Sequence, residues 1–334
     1  MTFLITGGAG FIGSNYLHRM VKSHPEDRFV CLDALTYAGN RKNIIDLEGK
    51  KNFLFVHGDI RDRKTVFSLF EKERFDKVVN FAAESHVDRS IDEPEVFLST
   101  NVLGVLILLE ASRHFNIRRF HQVSTDEVYG DTPIDSSYCF TEKDDLHPSS
   151  PYAASKASAD LLALSYVRTY DMDITISRGS DTYGPYQFPE KLIPLMISHI
   201  RKGESLPLHG NGKNIRDWLY VEDHCLAIDT ILEKGRKGEI YNVAGKSEKS
   251  NLEIVETLQS KLHSQVPIQF IQDRPGHDRR YGMSTKKIET ELGFERKWTF
   301  EEGIEKTISW YLENEAWQKE IETREYPQGK ERYK

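Results

Sequence analysis

Along the first 180 residues, short runs rich in β-branched and aromatic side chains alternate with longer stretches whose apolar residues recur at helical spacing. The runs fall at 3–6, 29–32, 53–57, 77–82, 119–124 and 173–177. Strand and helix in alternation predict an α/β fold, a Rossmann-like doubly wound parallel sheet with helices on both faces. Beyond Tyr183 the rhythm breaks, with prolines at 185, 189, 194 and 207 and a glycine-rich segment at 203–212. This predicts a first domain over 1–183 and a smaller C-terminal α/β domain over 184–334. Residues 217–243 read as helix then strand and return to the first domain. The charged tail at 320–334 is expected to fray. Two predicted helices, 101–115 and 152–170, are apolar on more than one face, through Leu103, Leu106 and Leu109 and through Leu161, Leu162 and Leu164. A homodimer through these helices would cover the second face; neighbouring helices of the same chain are the alternative.

Composition places the chain among globular proteins: 334 residues, 38% hydrophobic, 29% charged and 11% aromatic. With 45 Lys and Arg against 52 Asp and Glu, the net charge of -7 provides no global positive field, so neither nucleic acid nor an anionic membrane is an expected partner. Cys31, Cys139 and Cys225 lie far apart, which argues against disulfides and zinc and fits a reducing cytoplasm. No metal site is expected. The chain opens on a strand-like segment rather than a signal sequence, and no apolar run approaches about 18 residues.

Chemistry enters at the first strand. Thr6-Gly7-Gly8-Ala9-Gly10-Phe11-Ile12-Gly13 follows it and opens a helix. Glycines at 7, 10 and 13 permit a tight turn and let backbone amides at a helix N-terminus approach a pyrophosphate. Asp33 comes twenty residues after Gly13, at the end of the second strand, where a carboxylate accepts from an adenosine ribose and repels a 2′-phosphate. NAD is therefore expected rather than NADP. Asp59 and Ile60 follow the third strand at the same sheet edge and are adenine contacts or turn residues alike. Ala82 and Ala83 end the fourth strand with small side chains, which leave room for a dinucleotide or fit a tight core.

Ser149 or Ser150, followed by Pro151, starts a helix on which Tyr152 and Lys156 share one face at i and i+4. A neighbouring ammonium favours the phenolate, so Tyr152 is expected to accept a hydroxyl proton near neutral pH. Joined to the glycine turn, this pair resembles the extended short-chain dehydrogenase/reductase superfamily. Thr125, Asp126 and Glu127 end the fifth strand. The two carboxylates reach one site only if the strand turns there, and crowding would then hold one protonated while the other stays ionised.

With these residues, the segments at 33–40, 82–90, 183–192, 216–218 and 273–278 resemble the dTDP-glucose 4,6-dehydratase family over nearly the whole chain. The resemblance implies catalytic Thr125, Asp126, Glu127, Tyr152 and Lys156, and adds Leu35, Thr36, Thr100 and Thr182 to the NAD site. It implies a nucleotide-sugar pocket from Ser85, Thr125, Asp181, Lys191, Leu192, Pro207, Leu208, His209, Arg216, Asn242, Asp273, Arg274 and His277. Arg216 is the expected diphosphate clamp, since its planar fork binds phosphate oxygens in pairs. The family reads Asn-Asn where this chain has Asp181-Thr182. Asp181 only accepts, and would weaken anion binding unless protonated or paired with Lys191 or Arg216. A 4-epimerase, which needs no elimination pair, and a catalytically weakened binding homologue are the rival readings.

Overall fold

The computed structural model describes residues 1–323; most of the tail expected to fray, from 324 on, lies outside them. Seven strands form one parallel sheet: β1 (Thr2–Thr6), β2 (Arg28–Asp33), β3 (Phe53–His57), β4 (Lys77–Asn80), β5 (Arg119–Thr125), β6 (Ile174–Gly179) and β10 (Ile240–Val243). Their order is β10-β6-β5-β4-β1-β2-β3. β10 thus joins the sheet through β6, with Ile240 opposite Ile176. The strands read as apolar runs because both faces are covered. In β1, Phe3 and Ile5 enter one core and Leu4 the other, the period-two alternation of an extended chain.

The order reverses between β1 and β4, so the helices that follow these neighbouring strands diverge and leave a crevice at their C-terminal ends. Two smaller sheets lie beyond: β11 (Glu248–Ser250), β9 (Ile215–Tyr220) and β7 (Asp181–Tyr183) in that order, and β12 (Ile268–Ile271) beside β8 (Leu206–His209). Only Ser180 separates β6 of the large sheet from β7 of the small one.

Two helices frame the crevice. Pro151–Tyr170 starts where the Ser150 hydroxyl accepts from the Ala153 amide at 3.1 Å and Pro151 occupies the first turn. Pro94–His114 is interrupted by a π turn at Ser99–Gly104. By length and composition this second helix is long and apolar enough to cross a membrane, which corrects the expectation of no such run; half of its most apolar stretch is buried inside the protein. The expected start at 101 was late by two turns, because Pro94 opens the helix rather than breaking it.

Candidate active site

The crevice encloses about 1280 Å³, its open mouth included, and its walls come from the C-terminal ends of β1 to β5 and the segments that follow them. Gly7, Gly10, Phe11, Ile12, Gly13, Asp33, Thr36, Asp59, Ile60, Ala82, Ala83, Thr100, Tyr152 and Lys156 line it, joined by Ser85 and Lys191 of the expected sugar site. The glycine turn is built for close approach. Gly7 has φ +67°, and a Cβ there would stand 2.5 Å from the Ala82 amide nitrogen; at Gly13 it would meet the Gly7 carbonyl oxygen at 2.4 Å. Asp33 receives the Ala9 amide at 2.9 Å and the Leu35 amide at 2.8 Å, one on each oxygen. Burial raises its pKa while those amides pull it back, and each oxygen keeps a lone pair for a hydroxyl. The residues present thus fit a dinucleotide.

Two expected cofactor contacts stand outside the crevice wall. Leu35 sits at φ 51° and turns its amide to Asp33, so it shapes the carboxylate instead of lining the cavity. Thr182 directs its hydroxyl to the Ser180 carbonyl at 3.0 Å and to His224 Nδ1 at 2.8 Å. Conversely, Tyr37, Arg61, Glu84, Ser124, Gln187, Phe188 and Glu190, which are not among the expected contacts, line the crevice. Several lie in segments that resemble the family, but one position in a loop gives no sign of which way its side chain turns.

The Thr125-Asp126-Glu127 segment does turn. β5 ends at Thr125, whose hydroxyl accepts from the Glu127 amide at 3.3 Å and caps a 3₁₀ turn, Asp126–Tyr129. The cap breaks the period-two alternation and allows both carboxylates into one region. Both are pushed up, Asp126 well above the usual carboxylate range and Glu127 to about 7. Burial is the main cause for each, and the Asp181 charge adds to both. Asp126 Oδ1 accepts from the Thr125 hydroxyl at 3.2 Å, and Oδ2 is buried with no partner among the described residues. A neutral carboxyl suits that environment better than a charged one.

Tyr152 departs from expectation. Its phenol is raised well above 10, by burial first and then by the Glu127 charge, with a Thr125 side-chain hydrogen bond opposing. Lys156 Nζ donates to the Val123 carbonyl at 2.6 Å, and burial lowers its pKa to about 8. Without ligands, desolvation therefore outweighs the ammonium that was expected to favour the phenolate.

Of the expected sugar-nucleotide residues, Arg216, Lys191 and Arg274 bring positive charge to Glu127 and Asp181. His277 bonds Asp273 Oδ1 at 2.6 Å, with the His209 ring 6.4 Å away. Pro207 is half-buried on β8, and Leu192 opens a helix packed on the core. Leu208 and Asn242, also expected there, turn their side chains into the protein. The Leu208 side chain is in the core, 2% exposed. Asn242 is fully buried, accepting from the Tyr129 hydroxyl at 2.8 Å and donating to the Phe140 carbonyl at 3.2 Å, so its side chain is spent on packing.

Residues 4–307 match the family model described as GDP-mannose 4,6 dehydratase. A dTDP-glucose 4,6-dehydratase of Xanthomonas campestris pv. campestris is 48% identical over 335 residues, covering 95% of this chain and 94% of that one. The low-salt glycan biosynthesis protein Agl12 of Haloferax volcanii is 49% identical over 313 residues, covering 93% and 99%. Among solved structures, DesIV, a dTDP-glucose 4,6-dehydratase from Streptomyces venezuelae with NAD bound, superposes with a TM-score of 0.93 at 44% identity, covering 96% of this chain and all of that one. On its motifs, its sheet order and these likenesses together, the chain belongs to the GDP-mannose 4,6 dehydratase family, alongside dTDP-glucose 4,6-dehydratases.

Proposed function

We propose that the chain is an NAD-dependent hydro-lyase that converts dTDP-glucose to dTDP-4-keto-6-deoxyglucose for deoxysugar synthesis, rhamnose being one such product. The observation that carries this reading is the Asp126 and Glu127 pair at the β5 turn, with Thr125 between it and Tyr152. An epimerase has no use for a paired acid and base of this kind. The near relatives named as dTDP-glucose 4,6-dehydratases and the NAD in the DesIV structure support substrate and cofactor.

NAD, when bound, supplies the acceptor for the C4 hydride and gives it back at C6. The glycine turn would hold its pyrophosphate, Asp33 its adenosine ribose, and Lys156 the ribose near the sugar. Tyr152 takes the proton of the C4 hydroxyl, and Thr125 positions the C4 oxygen by a hydrogen bond. Once C4 is a ketone the C5 proton is acidic. Glu127 removes it, while Asp126 passes its own proton to the C6 hydroxyl, which departs as water; Glu127 then returns its proton to C5 as the hydride reaches C6. Arg216, Lys191 and Arg274 hold the diphosphate.

We also infer a cytoplasmic homodimer. Leu98 and Leu103 on one framing helix and Leu161 on the other are 52%, 47% and 59% exposed, apolar surface that a second copy would cover.

Incubation with dTDP-glucose and NAD tests the reaction. Loss of one water by mass and a C6 methyl beside a 4-keto centre by NMR are expected, and Tyr152→Phe should lower kcat by about 10²- to 10⁴-fold. Intact or C4-inverted sugar would overturn the assignment.

A further inference from the structure

Asp181 stands where three cations and two other carboxylates meet. The chain leaves the large sheet at Gly179, opposite Thr125, and two residues later Asp181 pairs with Trp218 of the small sheet. That crossing brings a third carboxylate to Asp126 and Glu127, both of which feel its charge. Asp181 Oδ2 is 3.5 Å from Arg216 Nε. Arg216 is otherwise fixed: its terminal nitrogens donate to the Ile215 carbonyl at 2.8 Å and the Asp278 carbonyl at 3.0 Å, and its guanidinium lies 4.4 Å over the Tyr281 ring. Lys191 and Arg274 bring charge to Asp181 from two further segments. Tyr152 and Tyr281 face Glu127, and His277 faces Arg216 and Arg274 while bonded to Asp273.

Fully ionised, three carboxylates face three cations, of which Arg274 also pairs with Asp88 at 3.5 Å. A diphosphate bound by Arg216, Lys191 and Arg274 would add two negative charges to this set, with Asp181 already beside the guanidinium it needs. We propose that Asp181 makes nucleotide-sugar binding proton-linked: the diphosphate enters as Asp181 takes up one proton and gives up its hold on Arg216. The inference rests on the nucleotide-sugar reading above and concerns the specificity of that same site. The Asp181 side chain is 40% exposed, so a proton reaches it from solvent. Being surrounded by protein already raises its pKa, against the pull of Arg216, Lys191 and Arg274.

The sign follows from linkage. An anion beside Asp181 raises its pKa further, so the complex holds more protons than the free protein and binding strengthens as pH falls. Between the free and bound pKa values Kd rises about tenfold per pH unit.

Titration calorimetry of the NAD-loaded protein with the phenyl ester of dTDP tests this. The ester has no C4 hydroxyl, and its phosphates do not titrate between pH 6 and 9. Measured in HEPES and in Tris, the wild type and Asp181→Glu should take up close to one proton. Asp181→Asn should take up almost none and bind about tenfold more tightly at pH 8, with a Kd that no longer follows pH. Equal uptake by Asp181→Asn would place the proton on Asp126 or Glu127 and overturn the proposal. A flat Kd in the wild type would overturn it too, with the nucleotide-sugar reading intact. No binding at all would sink that reading as well.

Discussion

Asp160 and Arg178 form an ion pair from which water is excluded, Nε to Oδ2 at 3.0 Å with side chains 0% and 2% exposed. Asp160 stands one helical turn beyond Lys156, whose ammonium its charge supports. Arg178 also lies 4.7 Å over the Tyr129 ring. A buried pair of this kind adds little over apolar packing, but removing one member strands the other charge. Asp160→Ala is therefore expected to cost about 3–5 kcal/mol in urea unfolding, and adding Arg178→Met should recover most of it. A loss under about 1 kcal/mol would mean that solvent reaches Arg178 after all.

Activity should be bell-shaped in pH. Glu127, with a pKa near 7, serves as the ionised base in the proposed reaction, so turnover should fall as pH drops through that value. Lys156, near 8, holds a ribose only as the ammonium, so the alkaline limb begins there. Glu127→Asp should displace the acid limb and leave the alkaline one in place; a kcat profile flat from pH 6 to 9 would contradict both roles.

Gly7→Ala should raise the Kd for NAD by about tenfold or more, since the new Cβ meets the Ala82 backbone and φ is +67°. Gly49→Ala is the control. Its φ is +87° but a Cβ there meets nothing within 4 Å, so it carries backbone strain alone and should leave NAD binding unchanged. Fluorescence titration with NAD separates the two.

Leu161→Arg should convert the proposed dimer to a monomer in sedimentation velocity, because it sets a charge in exposed apolar surface on the framing helix. A wild type that sediments as a monomer would refute the dimer itself.

The fold was legible because its signal is periodic. Six of the seven strands of the large sheet fall on the strand-like runs of the sequence, and the glycine turn and Asp33 sit at fixed offsets from those runs. The Thr125-Asp126-Glu127 turn was legible for a similar reason, since Thr125 stops a strand and caps a turn. What escaped were properties of three-dimensional surroundings. Nothing in Asn242 announces that Tyr129 and Phe140 consume its amide. Spacing placed Lys156 below Tyr152, yet burial decides the phenol's pKa, and burial depends on segments far away in sequence.

Asn101 lies in the π turn of the Pro94–His114 helix, where its amide donates to the Glu84 carbonyl at 3.0 Å and the Ser155 hydroxyl at 2.8 Å, and its Oδ1 accepts from the Glu84 amide. A π turn holds one residue more than an α turn. Deleting that residue would make the helix regular and would rotate everything on one side of the cut by about 100° relative to the other. The stitch between the crevice wall and the Tyr152 helix would then come undone. A change that perfects the helix on its own terms would dismantle the site, so in descendants of this chain the irregularity is expected to persist as an inherited defect that selection cannot mend.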